Sequence, residues 1–199
     1  MIKVIDIDVF AISVPLKAPI KMAGIAVTAA ENLIVKITDE AGRTGWGEAS
    51  SAPTMTGEFP EGMVAAGKFL ASALIGRTYQ DETQVQPSLG TTLYANMGVK
   101  AAFEIALLDL IAQSREIALY DLLGGKARSS ATVLTMIAGG SLDAEIAYAK
   151  AAAADGFTAF KVKVGIGSAS DDLERCLGIR DALGPQAQIS ADANQGYDL

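Results

Sequence analysis

The last third of the chain alternates between strand and helix patterns, and this alternation constrains the fold more than any other feature of the sequence. Strand patterns occur in "ATVLTMIAG", "FTAFKVKVG" and "AQISADANQG". Between them lie "SLDAEIAYAKAAAADG", a helix begun by Ser141 and closed by Gly156, and "SDDLERCLGIRDALG". An order of βαβαβ predicts a parallel sheet with helices packed outside it.

The first half has a different pattern, typical of an α+β domain. "IKVIDIDVFAISV", "NLIVKITD" and "TGWGEAS" predict three antiparallel strands, the last two joined by the turn residues "DEAGR". Long loops are predicted at Pro15–Ala30 and Ser51–Phe59. Helices follow in "PEGMVAAGKFLASALIG" and in the largely apolar "VKAAFEIALLDLIAQ". The shift near Gly124–Ser130 predicts a domain boundary, with residues 1–128 before it and 129–199 after it.

Composition excludes several classes of function. The formal net charge of −7 disfavours a nucleic-acid surface, and no run reaches the roughly 18 apolar residues of a membrane span. The chain has no histidine, which removes histidine bases and ligands, and its one cysteine allows no internal disulfide. The start of the chain lacks a signal-peptide pattern. Together these features predict a soluble, cytoplasmic protein with neither membrane nor nucleic acid as partner.

Two lysines interrupt the apolar strand "FKVKVG". Side chains at i and i+2 of a strand share a face, so Lys161 and Lys163 point together and the apolar residues point the other way. One interpretation is an edge strand whose lysines face water and prevent aggregation. The other is functional, because one ammonium placed beside another loses its proton more readily and can act as a base.

Asp192 and Asn194 lie where the next strand, "ADANQG", ends. Consecutive β/α units bring Lys163 and Asp192 to neighbouring strand ends, where a base and an oxygen ligand for a metal would meet. An Asx turn or a helix cap is the simpler interpretation of Asp-x-Asn. A third hypothesis is phosphate binding by "KVGIGSAS", although this run has neither the dinucleotide-binding nor the Walker spacing.

In combination these stretches resemble the enolase superfamily, in its mandelate racemase and muconate-lactonizing branch. "FKVKVG" resembles the Lys-x-Lys strand of that branch, and "ADANQG" resembles its first metal-ligand strand. "KAAFEIALLDLIAQSREIALYDLLGG" resembles the helix that closes the capping domain, and "TGWGEAS" resembles the third strand. The resemblance covers the whole chain.

The resemblance implies an α+β capping domain followed by a TIM-type α/β barrel. It also implies abstraction of a proton α to a carboxylate, with Mg²⁺ stabilising the enediolate. Lys163 would be the base, Lys161 its charged partner and Asp192 a metal ligand. Asn194 would support the metal site without binding the metal directly, and Thr135 would contact the substrate.

The two capping-domain loops set substrate specificity in this branch, which makes Met22, Ile25 and Thr54 candidate substrate-binding residues. Similar epimerases that act on acidic dipeptides tend to carry arginine where Ile25 stands. Because isoleucine cannot pair with a carboxylate, we expect a smaller or more apolar carboxylate as the small-molecule partner. The alternative is that Met22 and Ile25 only pack the loop.

Racemisation, epimerisation or cycloisomerisation is the expected reaction, and acid-sugar or hydroxy-acid dehydration is an alternative.

A complete barrel needs eight β/α units and roughly 250 residues, whereas only residues 129–199 follow the boundary. We therefore expect the barrel to be truncated in this chain and the 199 residues alone to bind Mg²⁺ weakly and catalyse nothing. A non-catalytic structural or binding module is the remaining alternative. Capping-domain surfaces often support homo-oligomers in such proteins, so the oligomeric state is left open.

Overall fold

The structure is a computed structural model that describes residues 1–22, 25–165, 167–194 and 196–197. The chain divides into two compact units, the first formed by Met1–Ile20 and Ala26–Ala127 and the second by Lys21–Ile25 and Arg128–Leu199. Among the described residues, no helix has the length and apolar character needed to cross a membrane. The side chains of Met22 and Ile25 lie outside the described part, so their predicted contacts with substrate stay predictions.

The first unit contains a four-stranded sheet in the order β3-β2-β1-β4. Strands β2 and β3 are antiparallel, as predicted. Their hairpin turn is fixed by the buried Asp39, which accepts hydrogen bonds from the backbone N–H groups of Ala41 and Arg43 and from the Arg43 guanidinium. The strands are β1 Ile2–Met22, β2 Ile25–Asp39, β3 Thr44–Ser50 and β4 Thr78–Tyr79.

The prediction of a loop over Pro15–Ala30 was wrong, because β1 and β2 extend into this segment from both sides. The described pairing of β1 with β4 covers Ile2 and Lys3. Proline is tolerated in a strand at positions where its missing N–H is not needed for pairing. The second predicted loop, Ser51–Phe59, is present as a turn closed by a backbone bridge between Ala52 and Glu58.

A largely buried helix, α3, forms the centre of the first unit's core, as its apolar sequence predicted. It packs on β3, where the Trp46 backbone N–H donates to the Asp109 carboxylate and the Gln113 amide donates to the Thr44 carbonyl. The helices of this unit are α1 Pro60–Leu74, a 3-10 turn Glu82–Gln84, α2 Val85–Thr92, α3 Met97–Ser114 and α4 Leu119–Leu122.

Two glycines in "TGWGEAS" allow β3 and α3 to approach closely. A Cβ on Gly45 would collide with the Ala106 carbonyl, and one on Gly47 would collide with the Ala102 carbonyl. Both obstacles are backbone atoms of a buried helix, which cannot move away as the end of a flexible side chain would. The glycines therefore set the distance between sheet and helix.

Replacing Gly47 by alanine is expected to lower the free energy of unfolding by about 2 kcal/mol or more, because the added methyl group overpacks this contact. Gly90→Ala is the matched control. Gly90 lies in α2, where an added methyl group would meet no atom within 4 Å, so alanine should be neutral or stabilising there. Thermal and urea unfolding measure both changes, and equal stabilities for the two variants would contradict this account of the packing.

The second unit contains three parallel strands in the order β5-β6-β7, which confirms the predicted βαβαβ arrangement. Both helices begin at serine caps, Ser141 as predicted and Ser168 in a capping box with Asp171. Strand β6 lies between its two neighbours, so the edge-strand interpretation of its lysines was wrong. The elements are β5 Leu134–Ile137, α5 Leu142–Ala154, β6 Ala159–Lys163, α6 Ala169–Leu183 and β7 Gln188–Asp192.

Candidate active site

The two lysines of β6 share one face of the sheet, as the period of two predicted. Phe160 and Val162 are buried in the core that the strands form with α5 and α6. The lysine side chains lie on the opposite face, where Lys161 is 36% exposed and Lys163 is 16% exposed. The strand therefore separates an apolar face, which holds the fold together, from a cationic face.

Both lysines meet the carboxylate that ends the next strand. The parallel register places Lys163 opposite Asp192, and the Lys163 Nζ lies 2.7 Å from Asp192 Oδ2. The Lys161 Nζ lies 3.4 Å from the same oxygen. Lys163 also donates to the Asn194 side-chain oxygen. The structure thus brings together four of the residues that the sequence singled out.

The charge of Asp192 follows from these contacts. The hydrogen bond from Lys163 is the main cause that lowers the pKa of Asp192 to about 2, and the Asn194 backbone N–H, which lies 3.1 Å from Asp192 Oδ1, lowers it further. This hydrogen bond between the Asp192 side chain and the backbone N–H two residues later is an Asx turn, so the turn predicted from Asp-x-Asn is present. Asp192 is therefore an anion at neutral pH whose two oxygens have different partners.

A titration checks the source of this low pKa. Because the pKa of Asp192 is lowered on folding, the stability contributed by its contacts is complete above about pH 3.9 and is lost as the pH falls toward 2. In metal-free full-length protein, the carboxyl carbon of Asp192 should titrate near pH 2 by NMR. Lys163→Met should move this midpoint toward 3.9, and the exposed-lysine control Lys150→Met should not. Identical midpoints in all three proteins would show that Lys163 does not lower the pKa of Asp192.

The oxygen atoms at this site suit Mg²⁺, which prefers carboxylate and carbonyl ligands. Asp192 is 26% exposed and supplies one carboxylate, and Asn194 supplies an amide oxygen beside it. In the parts of the chain that the structure describes, no three acidic, histidine or cysteine side chains come together as a metal cluster. The residues present therefore fit one side of a magnesium site.

Thr135 does not join this group. In the parallel register Thr135 lies opposite Phe160, whereas Met136 lies opposite Lys161. Residues at the same register position share a face, so Thr135 lies on the helix-facing side, where its hydroxyl is 2.7 Å from the Tyr148 hydroxyl of α5. The substrate contact expected for Thr135 stays a prediction. Thr54 is exposed in the turn of the first unit.

Sequence reasoning missed two residues near the lysines. Met136 shares their face, because the register places it opposite Lys161 and the strand period of two separates it from the buried Ile137. Asp172 is a buried carboxylate on α6 that contacts the loop after β6. The only signal for it was two adjacent aspartates at a helix start, of which Asp171 serves the cap.

Comparison with protein families gives two matches along the chain. Residues 4–124 match the model for the N-terminal domain of mandelate racemase and muconate lactonizing enzyme. Residues 144–199 match the model for enolase C-terminal-like domains. The first match spans well over half of the chain.

Individual relatives agree with these matches. The chain is 35% identical to the L-Ala-D/L-Glu epimerase of Bacillus subtilis, over 98% of this chain and 53% of the relative. It is 32% identical to the chloromuconate cycloisomerase CbnB of Cupriavidus necator, over 98% of this chain and 54% of the relative. A solved structure of a dipeptide epimerase from Cytophaga hutchinsonii, complexed with Mg and D-Ala-L-Val, superposes with a TM-score of 0.91 at 35% identity, over 100% of this chain and 53% of that one.

The chain thus spans about half the length of the relatives it matches. The family-model match over most of the first unit and the structural likeness over the whole chain lead to one conclusion. The chain belongs to the mandelate racemase and muconate-lactonizing branch of the enolase superfamily.

Proposed function

We propose that the full-length protein removes a proton α to a substrate carboxylate, with Lys163 as the base. The observation that carries this proposal is the pairing of Lys163 with Asp192, whose Nζ and Oδ2 atoms lie 2.7 Å apart at neighbouring strand ends. A lysine held on a partly exposed face beside a second lysine can take a proton from a substrate placed over that face. The isomerases named above make an enolase-superfamily isomerase the expected class of enzyme.

In this proposal the two lysines have different tasks. The neutral amine of Lys163 accepts the α-proton at Nζ, and the electron pair of the broken C–H bond moves toward the substrate carboxylate. Lys161, the more exposed of the two, stays protonated and attracts that carboxylate. Return of a proton to the opposite face of the carbon completes an epimerisation, and this task falls to a second base elsewhere in the full-length protein.

We propose Mg²⁺ as the cofactor, with Asp192 as one ligand and Asn194 as a supporting residue. Bound Mg²⁺ would supply positive charge for the developing enediolate. The Asn194 backbone N–H donates to the Asp192 carboxylate and orients it, and the Asn194 side-chain oxygen accepts a hydrogen bond from Lys163. The presence of Mg in the Cytophaga hutchinsonii complex supports this choice of metal.

We propose a dipeptide with uncharged side chains as the substrate. The L-Ala-D/L-Glu epimerase and the dipeptide epimerase complexed with D-Ala-L-Val are each 35% identical to this chain, so identity alone does not separate the two kinds of dipeptide. Ile25 supports the class with uncharged side chains, because the family resemblance places it where enzymes for acidic dipeptides tend to carry arginine. Cycloisomerisation is the second candidate, favoured by the 32% identical chloromuconate cycloisomerase.

A comparison of dipeptides tests the proposal. Full-length protein with Mg²⁺ should epimerise Ala-Val dipeptides with a kcat/KM at least about tenfold above that for Ala-Glu dipeptides, since an unpaired carboxylate would be costly to bury. Ile25→Arg should reverse this preference, and Ile5→Arg, an exposed position on β1, should not. A preference for Ala-Glu in the wild type would overturn the substrate class. Turnover of a muconate but of no dipeptide would establish the second candidate instead.

A further inference from the structure

A buried carboxylate on α6 connects the two loops that follow the lysine strand and the Asp192 strand. Asp172 is only 3% exposed, yet three donors converge on it. Its Oδ2 accepts from the Gly165 backbone N–H at 2.7 Å and from the Tyr197 hydroxyl at 2.8 Å, and its Oδ1 accepts from Arg175 at 3.0 Å. The mechanism proposed above gives this side chain no task.

The positions of the donors give Asp172 its significance. Gly165 comes two residues after Lys163, and Tyr197 comes three residues after Asn194. One carboxylate oxygen therefore holds both loops at the end of the sheet that carries the candidate active site. The loops also meet directly, because a Cβ on Gly165 would lie 2.9 Å from the Ala193 carbonyl and one on Gly196 would collide with the Gly165 carbonyl.

A network of charged side chains joins Asp172 to α5. Arg175 donates to Asp172 and also forms two hydrogen bonds of 2.9 and 2.7 Å to the buried Glu145 of α5. The Gly165 N–H is the main cause that lowers the pKa of Asp172, and Tyr197 and Arg175 lower it further, so the group is an anionic acceptor at neutral pH. An amide is a poorer replacement, because asparagine is neutral and turns an N–H donor toward either Arg175 or the two loops.

We infer that Asp172 is a positioning residue, which fixes the loops after β6 and β7 to α6 and thereby sets the position of Lys163 relative to Asp192. Its catalytic consequence rests on the proposed function. A displacement of a fraction of an ångström between a base and its partner is enough to lower kcat, because reacting groups must meet within a narrow range of distance and angle. Substrate binding depends less on that distance.

Three variants of the full-length protein separate positioning from stability. Asp172→Asn removes the negative charge and one of the two acceptor oxygens, which weakens the hydrogen bonds that both loops donate to this side chain. Tyr197→Phe removes only the hydroxyl donor of the loop after β7, from a half-exposed side chain. Glu145→Gln is the matched control, since it makes the same carboxylate-to-amide change in the same buried network but contacts neither loop. The readouts are kcat and KM for dipeptide epimerisation, melting temperature, amide hydrogen exchange at Gly165, and the rate at which acetic anhydride modifies Lys163.

We expect Asp172→Asn to lower kcat about tenfold and Tyr197→Phe about threefold, each with KM within about twofold of wild type. Both variants should change the acylation rate of Lys163, and Asp172→Asn should speed exchange at Gly165. Glu145→Gln should lower the melting temperature. Its kcat and its rate of Lys163 acylation should equal those of the wild type. If Asp172→Asn does not fold, Tyr197→Phe carries the same test.

Two results would overturn the inference. One is a kcat for Tyr197→Phe and Asp172→Asn that matches Glu145→Gln. The other is wild-type exchange at Gly165 and wild-type acylation of Lys163 in Asp172→Asn. The proposed function fails on a different result. In that case the wild-type protein epimerises no substrate, while Asp172→Asn still changes the amide exchange of Gly165 and the acylation rate of Lys163. That combination would leave the positioning role established for a different reaction.

Discussion

Replacing Lys163 by alanine in the full-length protein is expected to lower kcat for epimerisation by about 10³-fold, within the 10²–10⁴-fold that a general base contributes. The variant removes the only amine that hydrogen-bonds to both Asp192 and Asn194 among the described residues. A water molecule in the space left by the side chain is a far weaker base than an amine, so it cannot take over this task. Polarimetry or NMR of the two epimers measures the rate.

Three companion variants separate base from charge. Lys163→Arg keeps a cation that cannot act as a base at neutral pH, so it should be nearly as inactive as the alanine variant. Lys161→Arg keeps the charge that Lys161 is proposed to supply and should retain more activity than Lys163→Arg. Lys150→Ala, at an exposed lysine of α5, should leave kcat unchanged. Substantial activity in Lys163→Arg would show that Lys163 acts only through its charge.

Asp192→Asn is expected to weaken Mg²⁺ binding by at least about tenfold and to lower kcat by at least about 10²-fold, because an amide oxygen is a poorer ligand for a hard cation than a carboxylate. It also removes the anion that both lysines face. Titration calorimetry with Mg²⁺ measures the first effect and the epimerisation assay measures the second. Asp181→Asn, at an exposed aspartate of α6, is the control and should change neither.

Metal removal provides the matching test on the wild-type protein. Chelation should abolish turnover, and added Mg²⁺ should restore it. Full activity after exhaustive chelation, or tight Mg²⁺ binding by Asp192→Asn, would contradict the assignment of Asp192 as a metal ligand. In that case its contacts with Lys161 and Lys163 would be its main task.

The parts of the site that follow from local geometry could be predicted from the sequence. The period of two fixes Lys161 and Lys163 on one face, because Phe160 and Val162 must be buried. A crossover helix between parallel strands then brings Lys163 to Asp192 at neighbouring strand ends. Both conclusions need only the strand period and the order of the elements.

Other features depend on contacts that the sequence does not display. The extent of β1 and β2 into Pro15–Ala30 depends on tertiary contacts, which a local pattern does not display. The face of Thr135 depends on the register between β5 and β6, which no local pattern specifies. Asp172 acquires its partners from a loop seven residues before it and from Tyr197, 25 residues after it.

Deuterium incorporation at the α-carbon tests the central claim most directly. Each epimer of an Ala-Val dipeptide is incubated separately in D₂O with the full-length protein and Mg²⁺, and the α-proton signal is followed by NMR. The account predicts that wild-type protein replaces the α-proton by deuterium in both epimers. It also predicts that Lys163→Ala abolishes exchange from the epimer whose α-proton faces that residue. Turnover with the original proton retained, or exchange at the wild-type rate in Lys163→Ala, would contradict it.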